Sequence, residues 1–509
     1  MEIKRLPTLL LATATIASAE PAAPQPNIIL IYADDLGWGD VSSYGATAVK
    51  TPEIDRLAAE GMRFTSGYCG AATCTPSRFA LLTGEYAWRE PGRGIAPADE
   101  PLLIKPGTTT LPSILREAGY HTAIVGKWHL GLGDGQTELD WNGKIAPGPL
   151  EVGFDYSFII PATVDRVPCV YVENHHIVDL DPEDPVKVSY RKRIDPRPSG
   201  AEARDTLKMD WSHGHNQTII NGISRIGWQT GGTAALWRDE DIADVLSRKA
   251  VEVIEANHDN PFFLFFPLHD PHVPRVPHER FVGATDMGPR GDVIAQIDWC
   301  VGEINRTLDR LDLAENTIVI FSSDNGPVLN DGYKDEAAER IGDHTPAGPF
   351  RGWKYGRWEG SNRVPTIFRW PARIPAGTIS DAIIGQVDFP ATFAALTNRE
   401  LKENEAPDSF NILPTLLDPR ASVRESIVLE GIRDVLGFRK GDWKYHEPTE
   451  ADRTAWATGI DIGARRVPFL FNLADDPGES TNLAAENPEI VEKLHAELQE
   501  IKSSGRSRP

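Results

Sequence analysis

Asn27-Ile28-Ile29-Leu30-Ile31-Tyr32-Ala33-Asp34-Asp35-Leu36-Gly37 is a short β-branched apolar run that stops at two carboxylates and a turn. A run of this length, bounded by turn residues, reads as a buried strand. Three other stretches are built the same way. Thr317-Ile318-Val319-Ile320-Phe321 ends in Ser322-Ser323-Asp324-Asn325-Gly326, and His121-Thr122-Ala123-Ile124-Val125 leads into Gly126-Lys127-Trp128-His129. Pro261-Phe262-Phe263-Leu264-Phe265-Phe266 leads into His269-Asp270-Pro271-His272. Amphipathic helices fall between them. The clearest carries Ile294, Ile297, Val301, Ile304, Leu308 and Leu311 on one face, with Trp299 and Cys300 read as core or near-core residues. Strands alternating with helices specify an α/β fold with a large, mostly parallel sheet flanked by helices. Ligands bind at the carboxyl edge of such sheets, so the polar groups past these four strands are expected to form one site.

Composition narrows the function. The chain has 509 residues, long enough for one large unit and a smaller one, expected at 27–418 and 419–509. With 52 Lys and Arg against 74 Asp and Glu, its net charge is −22. Such a surface repels nucleic acid and acidic membranes, so an anionic substrate must be drawn by a local basic pocket. Residues 1–19 start with Lys4 and Arg5, continue as an apolar run and end in Ala17-Ser18-Ala19. That order reads as a secretory signal peptide, too short to span a bilayer, and predicts an exported protein, periplasmic or secreted, with no stable membrane insertion. The four cysteines, Cys69, Cys74, Cys169 and Cys300, make neither a disulfide framework nor a zinc pattern. If Cys74 is modified, one internal disulfide at most is open to the rest. Residues 165–232 are rich in Pro, Gly and charge and read as long loops over the sheet edge. Past Pro419 short strands and a final helix near 488–501 suggest a smaller α+β subdomain.

Cys74-Thr75-Pro76-Ser77-Arg78-Phe79-Ala80-Leu81-Leu82-Thr83-Gly84 reads as a two-turn helix capped by Thr75, with Pro76 in its first turn and Gly84 closing it. Cys74 then lies just before a helix N-terminus, where negative charge is favoured, and Arg78 lies one turn on. The stretch suits an anion, although an ordinary buried or reactive cysteine fits these residues too. Asp34, Asp35, Asp324 and Asn325 offer hard oxygen donors from two strand ends, which suit Ca²⁺ or Mg²⁺.

Taken together, Cys74-Thr75-Pro76-Ser77-Arg78 with Leu82-Thr83-Gly84, the Asp34-Asp35 pair, Gly126-Lys127-Trp128-His129, Pro271-His272-Val273-Pro274 and Asp324-Asn325-Gly326 resemble the motifs of the formylglycine-dependent sulfatases, in their order. The resemblance implies an alkaline phosphatase-like fold and an exported sulfatase acting on sulfated carbohydrates. It implies that Cys74 is oxidised to formylglycine by a formylglycine-generating or sulfatase-maturing enzyme. It makes Asp34, Asp35, Asp324, Asn325 and modified Cys74 ligands of Ca²⁺, with Mg²⁺ second. Arg78 would hold the ionised diol, Lys127 and Lys354 the sulfate, and His129 and His272 would be the catalytic histidines. Thr163 matches a position near the sulfate. The family's Glu-Gly-Gly-x-Arg reads here Glu359-Gly360-Ser361-Asn362-Arg363, which puts the local turn in question.

The implied reaction is attack of a diol oxygen on sulfur, His272 protonating the leaving alcohol and His129 then freeing sulfate. His269 reads as structural. His175 and His176 read either as a sugar subsite or as solvated loop residues, and the same alternatives hold for Trp211, His213 and His215. Trp353 and Trp358 read as packing or as stacking platforms. Two other functions stay open: a phosphate or phosphonate monoester hydrolase of the same superfamily, and a catalytically dead protein that keeps the pocket.

Overall fold

The computed structural model describes residues 25–90, 92–194 and 196–508, so the expected signal peptide lies outside the described residues. The four apolar runs become strands β1 (Asn27–Ala33), β3 (His121–Lys127), β7 (Phe262–Pro267) and β8 (Thr317–Ser323). They join β2 (Met62–Phe64), β4 (Tyr156–Ile160), β5 (Val172–Glu173), β6 (His176–Ile177), β9 (Thr366–Arg369) and β10 (Thr378–Ser380). Among the described residues the order across this ten-stranded sheet is β10-β2-β9-β8-β1-β7-β3-β4-β5-β6. The strands from β8 to β4 are parallel, while β9 and β5 run antiparallel to their inner neighbours.

Alternation along β1 explains why the sheet is covered on both sides. Ile28, Leu30 and Tyr32 face one core, with Leu81 and Leu82 of α2 (Cys74–Thr83), Leu111 and Leu115 of α3 (Leu111–Glu117), and Phe389 and Phe393 of α6 (Phe389–Leu396). Ile29, Ile31 and Ala33 face the other, with Ile54 and Leu57 of α1 (Pro52–Glu60), Leu246 and Ile254 of α4 (Ile242–Ala256), and the Ile294-to-Leu308 stripe of α5 (Pro289–Arg310). Near-continuous apolar strands are what a doubly covered parallel sheet requires. Cys300 is buried in the second core and Trp299 packs on it, as their helical spacing predicts. Residues 165–232 are mostly loop, pinned by two short ribbons, Lys187–Ser189 with Trp228–Thr230 and Ile219–Ile220 with Ile223–Ser224.

Two local expectations change. The helix after Thr73 begins at Cys74, two residues earlier than the capping role of Thr75 implied. The Thr75 hydroxyl instead donates to the His129 carbonyl and accepts from the Ala96 N–H, tying the helix start to the loop after β3 and to the segment between α2 and α3. Gly84 does end the helix, at φ 68°. The Ser361 substitution leaves the turn intact: residues Glu359–Asn362 form a single helical turn, and the Ser361 carbonyl accepts from Gly326 N at 2.9 Å. The glycine that matters is Gly360, because a Cβ there would meet the Arg351 and Gly352 carbonyl oxygens at 2.8 and 2.9 Å. No disulfide forms among the described residues; all four cysteines are free and buried.

The C-terminal strands β11 (Ser426–Gly431), β12 (Val435–Lys440), β13 (Trp443–His446) and β14 (Phe469–Asn472) make an antiparallel sheet in that order. Helix α7 (Pro488–Ser504) packs Leu494 and Leu498 into a core shared with Ala80 of α2. A buried ionic cluster fastens this sheet to the turn at Glu359. Lys444 Nζ lies 3.1 Å from Glu359 Oε1 and 2.9 Å from Glu479 Oε1, while Tyr68 donates to Glu359 at 2.7 Å. His446, held neutral by burial and the neighbouring Arg357 and Lys444, stands 3.5 Å from Glu479. Burial raises the Glu479 carboxyl to about 7, helped by the Glu359 charge and opposed by Lys444, while Glu359 is held near 2 by Lys444, Arg363 and Arg439 against its own burial.

A carboxyl lifted in the folded state contributes stability that is complete below its unfolded value and is lost as pH rises through its folded value. For Glu479 that window runs from 4.5 to about 7. The shift corresponds to about 3 kcal/mol at full ionisation. Glu479→Gln should therefore gain stability relative to wild type across this window, read from urea unfolding at a series of pH values. A difference that is flat with pH would show that Glu479 carries no such proton.

Candidate active site

The carboxyl ends of β1, β3, β7 and β8 converge as the sequence implies. Asp34 and Asp35 follow β1, Asp324 and Asn325 follow β8, Lys127 closes β3, and all are essentially inaccessible to solvent. Their charges interleave. Lys127 Nζ hydrogen-bonds Asp34 Oδ2, and Lys354 Nζ donates to Asp35 Oδ2 at 2.9 Å. Arg78 reaches in from α2, donating through Nε at 3.1 Å and Nη2 at 2.8 Å to Asp324 Oδ2, and through Nη1 to the Lys127 carbonyl. Asn325 Nδ2 donates to Asp35 Oδ1 at 2.6 Å. Gly126 permits the close passage of β3: at φ +135° it approaches Pro267 so nearly that a Cβ would meet its carbonyl oxygen at 1.9 Å.

Burial pushes the Asp34 and Asp35 carboxyls up, most strongly at Asp34, where the Asp324 charge adds to it and Lys127 opposes it. Asp324 is held low by Arg78, Lys127 and Lys354 in spite of burial. Two oxygens among these groups, Asp34 Oδ1 and Asn325 Oδ1, are buried without any hydrogen-bond partner. Ligand atoms of Asp34, Asp35 and His272 lie within 4.8 Å of one another. Hard, partnerless oxygens beside mutually repelling carboxylates fit a divalent cation. Asp35 adopts φ 67°, a left-handed conformation uncommon outside glycine and frequent at functional sites.

Cys74 heads α2 at 1% exposure, under the opposing charges of Lys127 and Lys354 and of Asp34 and Asp324. Burial outweighs the lysines and pushes the thiol up, so a thiolate is disfavoured there. Both histidines are held well below the usual imidazole value, by burial first, then by Lys127 and Arg166 at His129 and by Lys354 and Lys127 at His272. His129 Nε2 donates to the Ala96 carbonyl at 2.8 Å, which leaves Nδ1 buried and unpartnered. His272 Nδ1 donates to the Val273 carbonyl at 2.7 Å and meets Thr163 Oγ1 at 3.2 Å, leaving Nε2 at 3.9 Å from Asp35 Oδ2.

His176 stands apart from the convergent group. It is exposed on the outermost strand β6, with Nδ1 on the Gly143 carbonyl, and its hydrogen bonds and ion pairs include none to the convergent group. That edge position fits the solvated-residue alternative of the two readings of this histidine. Trp358 is core, packed on Phe471, and His269 pairs with Asp270 at 3.4 Å, so their structural readings hold.

Other residues at the site carry no motif. Asp331 accepts from Lys354 Nζ at 2.9 Å and from Tyr355 OH at 2.6 Å, holding the lysine between two carboxylates. Asp165 accepts from His215 at 2.8 Å and pairs with Arg166, whose charge is felt at Cys74 and His129. The only sequence signal for Arg166 was its nearness to Thr163 at the mouth of the loop segment.

The family model described as Sulfatase matches residues 26–399. An N-acetylgalactosamine-6-O-sulfatase of Bacteroides thetaiotaomicron is 51% identical over 479 residues, covering 94% of this chain and 93% of that relative. Human arylsulfatase A is 31% identical, over 97% of this chain and 90% of its own. A solved structure from work on the metabolism of multiple glycosaminoglycans by Bacteroides thetaiotaomicron superposes with a TM-score of 0.93 at 51% identity, over 94% of this chain and all of that one. The chain belongs to the sulfatase family and is a sulfuric ester hydrolase.

Proposed function

We propose that this protein is an exported sulfatase, periplasmic or secreted, that removes 6-O-sulfate from N-acetylgalactosamine residues of glycosaminoglycans after Cys74 has been oxidised to formylglycine by a maturing enzyme. The observation that carries the reading is the ring of Asp34, Asp35, Asp324 and Asn325 with Arg78, Lys127 and Lys354 around Cys74. The sugar is taken from the 51% identical relative, an N-acetylgalactosamine-6-O-sulfatase. Among the described residues no helix is long and apolar enough to cross a membrane. In this reading residues 27–418 form the catalytic domain and 419–509 the subdomain that backs it.

A divalent cation, Ca²⁺ before Mg²⁺, would be held by Asp34, Asp35, Asp324, Asn325 and modified Cys74 and would supply positive charge to the site. Formylglycine at position 74, hydrated, would supply a hydroxyl nucleophile and a second hydroxyl for release of sulfate. The remaining work falls to the chain's own groups. Lys127 and Lys354 bind the sulfate oxygens and offset charge that builds on them, which is where such sites gain most of their rate. Arg78 orients the position-74 side chain. Thr163 steadies the His272 ring through Nδ1, and His272 Nε2 carries a proton to the leaving sugar oxygen, the bound sulfate's charge countering the lysines that keep this imidazole neutral. His129 takes up a proton at its unpartnered Nδ1.

Three outcomes are expected. Mass spectrometry of the peptide containing Cys74 from active enzyme should find formylglycine, and Cys74→Ala should keep the fold but not turn over 6-sulfated N-acetylgalactosamine; repeated turnover by protein holding only the unmodified thiol would falsify the assignment. Chelation should abolish activity, Ca²⁺ should restore it better than Mg²⁺, and Asp324→Ala should lower bound metal measured by elemental analysis; full activity in metal-free protein contradicts this. Losing a general acid typically costs ~10²–10⁴-fold in rate. His272→Ala should show that loss in kcat/KM on the sulfated sugar and far less on an activated aryl sulfate, whose leaving oxygen needs no proton. Equal losses on the two substrates would remove His272 from the role.

A further inference from the structure

Residues 449–466 of the C-terminal unit form a hairpin that the reaction does not use. Thr454 bridges Asp461 antiparallel, Ala455 N donates to Ile460 O at 2.9 Å, and Gly459 N donates back to Ala455 O at 2.8 Å. The base is clamped from the catalytic side: Arg357 Nε and Nη2 donate to the Gly463 carbonyl at 3.2 and 2.9 Å, and Trp358 Nε1 donates to the Asp461 carbonyl at 3.0 Å. At the tip stands Trp456, 84% exposed, the most exposed large hydrophobic side chain among the described residues. A lone exposed apolar residue needs no explanation, but an indole held out on a braced hairpin costs solvation with no packing return.

Two neighbours give the tip a purpose. First, Ala455 belongs to a small core on which Tyr355 packs. Tyr355 is part of the pocket: its hydroxyl donates to Asp331, the partner of Lys354, and its N–H donates at 2.8 Å to the Ala72 carbonyl, two residues before Cys74. The hairpin therefore rises from the rim of the site. Second, arginines gather on and around it in a protein whose net charge is −22. Arg351, Arg453 and Arg465 all share the single carboxylate of Asp461, at 3.5, 3.5 and 2.7 Å. Arg466 and Arg433 pair with Glu450 and Asp452, so the hairpin's three arginines balance its three carboxylates and Arg351 and Arg433, from the flanking segments, make the ion-pair network five to three.

We propose that this hairpin is a binding subsite for the glycan chain that extends from the sulfated sugar in the pocket, with Trp456 stacking on a pyranose face and the excess arginines taking the carboxylate or sulfate of a neighbouring sugar. Aromatic side chains offer a flat apolar body to the C–H face of a sugar, and guanidinium forks match planar carboxylates and sulfates. The clamped base means that little ordering is lost on binding. The subsite rests on the glycosaminoglycan reading above and deepens it: the enzyme recognises a chain, not only its terminal sugar.

The test compares kcat/KM on 6-sulfated N-acetylgalactosamine and on a glycosaminoglycan oligosaccharide ending in that sugar, for wild type, Trp456→Ala and Arg453→Ala/Arg466→Ala. Each variant should lose about 3- to 10-fold on the oligosaccharide, through KM, the range expected from one stacking contact. The monosaccharide, which does not reach the hairpin, should be turned over as by wild type. Affinity electrophoresis in gels containing the sulfated, uronate-bearing polymer reads binding without turnover: wild type should be retarded and both variants released. This arm tests the subsite even if wild type desulfates neither sugar, an outcome that would remove the substrate reading instead. An unchanged oligosaccharide-to-monosaccharide ratio, or retardation equal in all three proteins, overturns the proposal. So does a wild-type dimer in sedimentation that Trp456→Ala converts to monomer, since Trp456 would then belong to a contact between copies of the chain.

Discussion

The alternation of buried cations and carboxylates at the strand ends is the constraint on which the rest of the molecule depends. Asp34, Asp35 and Asp324 come from two neighbouring strands and would repel each other without relief. Each has a cation of its own, Lys127, Lys354 and Arg78, and each cation comes from a different part of the chain. Lys127 arrives by the parallel sheet, Arg78 by a helix buried along its whole length, and Lys354 by the segment that the C-terminal sheet braces. Removing one cation would strand a charge where water cannot reach it, a change that is generally costly. The sheet, α2 and the C-terminal unit are thereby tied to one another through the site itself.

The pattern of apolar runs made the fold legible, because a parallel sheet covered on both faces needs strands that are apolar at every position. Ile28 to Tyr32 and Phe262 to Phe266 could satisfy little else. The site was legible for a different reason: its residues lie at strand ends or in a helix first turn, positions that local sequence marks. What escaped depends on long-range packing. Asp331, Tyr355, Asp165 and Arg166 stand in loops with no periodicity, and nothing local says that Asp331 meets Lys354. The placement of His176 was not legible for a related reason. A histidine in a polar loop looks the same whether the loop turns toward the pocket or, as here, runs out to the sheet's edge. At Cys74 the helix boundary moved by two residues because Thr75 found better partners in His129 and Ala96 than in its own helix.

The substitution of serine in the Glu359–Asn362 turn shows which part of a motif geometry demands. Gly360 is pressed against Arg351 and Gly352 carbonyl oxygens, so no side chain fits there. At position 361 the backbone takes an ordinary helical turn, and a hydroxymethyl group is accommodated. Glu359 is the working residue of the stretch, because it forms an ion pair with Lys444, accepts a hydrogen bond from Tyr68 and links the second sheet to the loop bearing Lys354.

Helix α2 has one further consequence, and it concerns time. Every residue from Cys74 to Thr83 is buried, and the cysteine itself shows 1% of its surface. Another protein cannot close its own active site around a side chain so enclosed. An enzyme that oxidises Cys74 must therefore meet this segment as an open strand, before the sheet and the C-terminal unit have shut over it. Under the proposed function, oxidation at this position would have to precede acquisition of the native shape. A molecule that folds first is committed to the thiol for as long as it stays folded.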